Sequence, residues 1–254
     1  KLRDAMLPRR VVLNCLARTC CINAAVTARG MQQIGLAFVL APAFNRLYPE
    51  SSARARAFAR YGGHSNTHVF MVPLYVGIVL ALEEQIARGS LPEGAVGVVR
   101  ETLATTLSAL GDSFFSGTLL PLWALVSVCQ LLAGQIGLTA ALAALFLALL
   151  LLFRILAFFA GLRHGMSVLA RLKRLNLINW VDRLKMLNAV VVALVIWQLP
   201  LPHKAPFPWL HYGSGTAAIL GAAWLVGRMR LPRILLWALV LGALILMDEG
   251  LISM

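Results

Sequence analysis

Acidic residues are scarce in this chain. Only 10 Asp and Glu stand against 23 Lys and Arg in 254 residues, a formal net charge of +13. In a soluble protein that excess would raise the question of nucleic acid, but no RNA- or DNA-binding motif accompanies it, so nucleic acid is not an expected partner. The four cysteines, Cys15, Cys20, Cys21 and Cys129, include no Cys-x-x-Cys spacing. That argues against a disulfide framework or a zinc site and leaves them as small apolar packing residues. A nucleophile elbow, a Walker sequence and a dinucleotide fingerprint are all missing, and Gly62-Gly63 and Gly213-Ser214-Gly215 are too sparse for phosphate loops. No catalysis is expected within the chain itself, and no cofactor. No signal peptide, internal repeat or separable soluble domain is evident.

Apolar residues are what the chain has in abundance, at 60% with a mean hydropathy of +0.80. Soluble domains hold roughly 45–50%. The bases flank apolar runs, as in cytoplasmic membrane loops. The strongest run, Ile136 to Leu162, exceeds the ~20 residues a bilayer needs. Arg154 falls near its far end and reads as a side chain snorkelling to the interface. Shorter spans are expected at 186–199, 214–226 and 234–247. Bases at 163–185 (Arg163, Arg171, Lys173, Arg174, Arg183, Lys185) and 227–233 place those loops in the cytoplasm. The C-terminus and the 200–212 loop, with Lys204, Phe207, Trp209 and Tyr212, fall outside. Gly213, Ala217 and Gly221 form a small-residue face for close helix packing.

The first half is less apolar. Residues 11–48 read as amphipathic helix broken at Gly30 and Gly35 and ended by Pro42 and Pro49, lying on the membrane surface or packing as half-spanning pieces. Residues 51–61 read as a basic helix capped by Ser51 or Ser52 and stopped by Gly62-Gly63. Helices follow at 69–87, with Pro73 in its first turns, and at 92–110. The expected fold is all-α: a polytopic membrane protein with re-entrant or half-spanning helices and interfacial amphipathic helices. Three parts are expected: 1–60 interfacial, 61–134 a core with polar re-entrant elements, and 135–254 transmembrane helices.

Three polar islands interrupt the apolar pattern: Gly111 to Thr118 (GDSFFSGT), His64 to His68 (HSNTH), and Glu83-Glu84. Such residues at membrane depth are expensive and are functional candidates by default. Asp112 with Ser113, Ser116 and Thr118 could bind vicinal sugar hydroxyls, or Asp112 could cap a helix starting near Phe114. The histidines four apart have no third ligand at a familiar spacing, so no metal site is expected. Asn66 and Thr67 suit a neutral, hydroxyl-rich ligand, or a capping turn before Val69. Of the adjacent Glu83 and Glu84, at most one would face a site squarely; both could also be solvated.

MQQIGLAFVLAPAFNRLYP, SNTHVFMVPLYVGIVLALEEQIARG, LSALGDSFFSGTLLPL and RHGMSVL occur in this order over most of the chain. Together they resemble the IID component of the mannose/fructose/sorbose family of the bacterial phosphoenolpyruvate-dependent sugar phosphotransferase system. The chain departs from that family at Arg29-Gly30, at Val69 and at Ser113, the last two being prolines in the family, and its 200–212 loop is short. The resemblance implies a multi-pass subunit of the inner membrane. It would form a trimer of heterodimers with a IIC subunit, import a hexose or hexosamine by an elevator-like movement, and rely on phosphocarrier histidines of separate IIA and IIB components. Asn66, Thr67, His68, Glu84 and Asp112 would bind the sugar, with Gly111 and Gly117 shaping a turn, and the 163–185 loop could meet IIB. The alternatives are a non-transporting assembly or regulatory relative, favoured by the three departures, and an intramembrane lipid- or glycan-modifying enzyme using His68 and Asp112 as an acid–base pair.

Overall fold

The computed structural model describes residues 7–174 and 176–198, with Gly213, Thr216, Ala217, Leu220, Gly221 and Trp224 beyond them. Its helices are α1 (Arg9–Arg18), α2 (Gln33–Leu47), α3 (Ser51–Arg60), α4 (Val72–Ala87), α5 (Val96–Gly111), α6 (Leu120–Leu132), α7 (Ile136–His164), α8 (Ser167–Arg174) and α9 (Leu177–Gln198). Among the described residues there is no strand, only isolated bridges joining Thr27 to Met31 and Met31 to Ser65. The fold is all-α, and two stretches are long and apolar enough to cross a membrane: Glu93–Leu132 and Ile136–His164. The spans expected at 214–226 and 234–247 and the 200–212 loop lie outside the described residues, six scattered positions apart.

The core forms around α4, whose sequence VPLYVGIVLALEEQIA is apolar on every side and buried accordingly. A helix of that kind has to be surrounded. It packs against α7 through two glycines. A Cβ on Gly77 would run into the Phe158 carbonyl and stand 2.9 Å from the Leu162 nitrogen, and one on Gly161 would stand 2.6 Å from the Leu74 oxygen. The pair runs parallel: Arg154 is level with Val69, Gly161 with Leu74 and Ile78, and Gly165 with Ala81. Because the obstructing atoms are backbone, Gly77→Ala should destabilise the protein by about 1–3 kcal/mol, read as a lower thermal midpoint. Gly97→Ala, which meets open space, should leave the midpoint unchanged or raise it.

Away from α4, α7 turns Leu138, Leu145, Leu147, Leu149, Leu151, Leu152 and Leu156 outward. An apolar face of that extent belongs against lipid or a partner. Trp123 stacks on Phe146, with ring centroids 5.3 Å apart, and fixes α6 to α7. Asn188 donates to the Thr118 carbonyl at 3.0 Å and fixes α9 to the end of the GDSFFSGT stretch.

Several expectations change. GDSFFSGT is not a turn: the chain stays helical through it, with Asp112–Leu119 wound as a π-helix between α5 and α6. No proline lies inside, so each residue keeps its N–H, and Asp112 is not a helix N-cap. Ser51 and Ser52 do not cap α3, whose N-cap is Glu50. Gly35 lies within α2, where its missing Cβ admits the Ile22 carbonyl. Pro42 also lies within α2. Proline has no N–H for the carbonyl four residues back, here Phe38, and the Arg18 guanidinium supplies that donor at 2.9 Å while lying 4.4 Å from the Phe38 ring centroid. The basic 163–185 stretch is mostly helix, α8 and the first turns of α9.

Candidate functional site

The HSNTH segment is extended rather than helical, and it is held by backbone pairing. Ser65 N–H donates to the Gly30 carbonyl at 3.2 Å, and Gln32 N–H donates to the Ser65 carbonyl at 2.8 Å. The Gln32 side chain then does for Thr67 what a neighbouring strand would do. Its amide oxygen accepts from Thr67 N–H and its Nε2 donates to the Thr67 carbonyl, both at 2.9 Å, while Nε2 also donates to Asn23 Oδ1 at 2.9 Å. Thr67 is thereby buried, whereas Asn66 before it points to the outside.

His68 joins this segment to the π-helix. Phe70 N–H donates to its Nδ1 at 3.3 Å, so neutral His68 carries its proton on Nε2 and directs it to Ser116 Oγ at 3.0 Å. The ring stacks on Phe115 at 5.5 Å with 11° between the planes. It lies directly on the Cα of Gly111, where a Cβ would overlap the His68 Cβ and stand 2.6 Å from its Cγ. Gly111 is therefore glycine to admit the histidine. Gly117 closes on the Asp112 carbonyl, at 3.2 Å from where its Cβ would be. Asp112 is exposed beside this junction, its Oδ2 accepting weakly from Ser108 Oγ at 3.4 Å. Among the described residues, Asn66 and Asp112 thus present polar atoms with little commitment on either side of a fixed imidazole. At this same level is Arg154, ten residues before the end of α7 at His164, which is about 15 Å along the helix axis.

The family model for the mannose/fructose/sorbose IID component of the phosphotransferase system matches residues 6–201. The chain belongs to this family. Its mannose-specific EIID component from Escherichia coli K12 is 36% identical over 108 residues, 42% of this chain and 38% of the relative. The fructose permease IID component of Bacillus subtilis is 26% identical over 164 residues, 64% of this chain and 58% of the relative. The chain thus spans about 38–58% of the length of these curated relatives. Among solved structures, a membrane protein superposes with a TM-score of 0.73 at 21% identity, and the mannose transporter ManYZ in complex with microcin E492 with 0.59 at 22%, each covering 96% of both chains. Both share its fold.

In this IID chain the expected residues divide into two groups. Asn66, Thr67, His68, Gly111, Asp112 and Gly117 gather at one junction. Glu84 does not. It sits at the other end of α4, twelve residues or about 18 Å beyond Val72, and accepts from Leu7 N–H at 3.0 Å. Its neighbour Glu83, expected to be solvated or site-facing, is fully buried in a structural network. It accepts from Tyr48 OH at 2.7 Å, Tyr61 OH at 2.9 Å, and Arg60 at 2.7 and 3.1 Å. Burial, and then the bond to Glu83, push the Tyr48 phenol well above its ordinary pKa, so it remains a donor. His68 and Asp112 share no hydrogen bond among the described residues. Ser116 is one of the hydroxyls expected beside Asp112, whereas Gln32 and Arg154 are not among the expected site residues. The signals in sequence were the paired glutamines of MQQ and a charge inside the longest apolar run.

Proposed function

We propose that the chain is the IID-type subunit of a sugar permease in the bacterial inner membrane. It crosses the bilayer several times, with the basic 163–185 stretch in the cytoplasm. With a IIC subunit, as a trimer of heterodimers, it imports a hexose or hexosamine that IIA and IIB components phosphorylate. The observation that carries this reading is the junction of HSNTH with the π-helix. It lies about 15 Å along α7 from the basic end, about half the ~30 Å of a hydrocarbon core. Transporters place substrate sites at that depth, on interrupted helical geometry. Asn66, His68 and Asp112 make hydrogen bonds to sugar hydroxyls, while Thr67, Gly111 and Gly117 shape the site around them. Glu84 is assigned to the N-terminal tie instead. The names of the curated relatives, mannose-specific and fructose permease, support a hexose.

Asp112→Asn tests the assignment. The amide keeps the shape but loses the charge that strengthens a hydrogen bond from a hydroxyl. Uptake should fall about tenfold, the worth of one charge-assisted bond, with IIC binding unchanged. Undiminished uptake would remove Asp112 from the sugar site.

A further inference from the structure

Arg154 is a buried guanidinium on a helix that otherwise turns leucine outward, and only 8% of it is accessible. It is not snorkelling. Ten residues separate it from the end of α7, about 15 Å and beyond the reach of its side chain. Among the described residues it has no carboxylate partner. Its contacts are to neutral acceptors: Nη1 donates to the Val69 carbonyl at 2.7 Å, and Nη2 to Thr19 Oγ1 at 3.1 Å and Cys20 Sγ at 3.7 Å. Thr19 spends its own proton on the Leu16 carbonyl at 2.6 Å, so its oxygen is a committed acceptor.

The Val69 carbonyl is a particular oxygen. Val72 N–H donates to His68 O at 3.0 Å and Tyr75 N–H to Met71 O at 3.0 Å, so the four-residue ladder of α4 already runs here. The donor for Val69 O would be residue 73, which is proline and has none. Arg154 supplies it, as Arg18 does for the carbonyl that Pro42 leaves bare. The His68 carbonyl is thus held by the first turn of α4, while the Val69 carbonyl that follows it is held from α7.

We propose that Arg154 is a positioning residue for the sugar site: its planar fork holds the Val69 carbonyl against the Thr19–Cys20 turn and so sets where Asn66 and His68 stand. The sugar part of this rests on the transport reading; the tether does not. Lysine offers a point charge without the planar fork that bridges the two sides. Pro73→Ala returns an N–H to the ladder and can take over the Val69 carbonyl.

The test uses the full complex with IIC, comparing wild type, R154K, R154M, and R154M combined with P73A. Hydrogen–deuterium exchange of residues 64–70 and the apparent KM and maximal rate of uptake are measured together. In R154K and R154M, exchange of 64–70 should rise about tenfold and KM about tenfold, the worth of one charge-assisted hydrogen bond. The maximal rate and the exchange of α4 and α7 interiors should change little. P73A added to R154M should recover much of both losses. If R154M does not accumulate, R154K gives the same reading. Exchange of 64–70 at the wild-type level in R154K overturns the proposal, as does raised exchange with unchanged KM in a complex that transports. Wild type that carries no sugar overturns the transport reading, and the exchange result then decides the tether alone.

Discussion

Glu83→Ala should be among the most destabilising single changes in the chain, and Glu84→Ala beside it should be nearly silent. Glu83 is fully buried, and the Arg60 that grips it is 12% exposed. Removing the carboxylate leaves a guanidinium and two phenols at the junction of α3 and α4 without their shared acceptor. Breaking a buried pair from one side costs about 3–5 kcal/mol, because the remaining charge is stranded, and each hydroxyl left unpaired adds to that. Arg60 does retain Glu93 at 2.8 Å, but that carboxylate is half exposed and compensates weakly. Among the described residues the Glu84 carboxylate makes one bond, to the Leu7 amide, worth about 0.5–1.5 kcal/mol. Thermal midpoints of the purified variants, with the amount of each chain recovered in membranes, measure the difference. Equal midpoints for the two would contradict the network.

Gly111→Val should sharply reduce uptake while leaving most of the fold intact. Any Cβ at this position overlaps the His68 side chain, and valine adds two methyls to that clash. The helix cannot retreat, since the neighbouring π-helix is bound by Asn188 at Thr118 and by Phe115 against Phe153. His68 is the part that moves. Its bond to Ser116 and its stacking on Phe115 are lost, and Asn66 shifts with it. Misplacing a binding group by about 1 Å can cost about a hundredfold in rate, so uptake should drop to that degree. Gly97→Val is the control, being in open space on α5. Uptake by Gly111→Val at the level of that control would show that the His68–Gly111 contact does not organise the site.

Much of this was legible in the sequence, and the failures share a cause. The apolar run at 69–87 marks α4 as a helix to within three residues of its start, and the 136–162 run marks α7 almost to its last turn. Grouping HSNTH with GDSFFSGT as polar islands also found the two halves of one junction. What a linear reading could not do was divide adjacent or axial choices. Glu83 and Glu84 differ by a quarter-turn. What separates them is Tyr48, Arg60 and Tyr61, which lie 22–35 residues away. Arg154 could be placed along α7, but its orientation depends on the Gly77–Gly161 crossing. GDSFFSGT looked like a break because glycine permits turns, whereas Gly111 is there to admit an imidazole from another segment. The one overlooked local signal was proline counting: Pro42 and Pro73 each bare a carbonyl four residues back, and each carbonyl carries an arginine.

The transport role itself is tested most directly by phosphoenolpyruvate-driven uptake in cells that hold IIA, IIB and IIC, with and without this chain, across mannose, fructose, sorbose, glucose and amino sugars. The expected result is entry of at least one hexose or hexosamine that depends strictly on the chain and falls about tenfold with Asp112→Asn. A chain that co-purifies with IIC while no sugar enters would contradict it and leave an assembly or regulatory subunit.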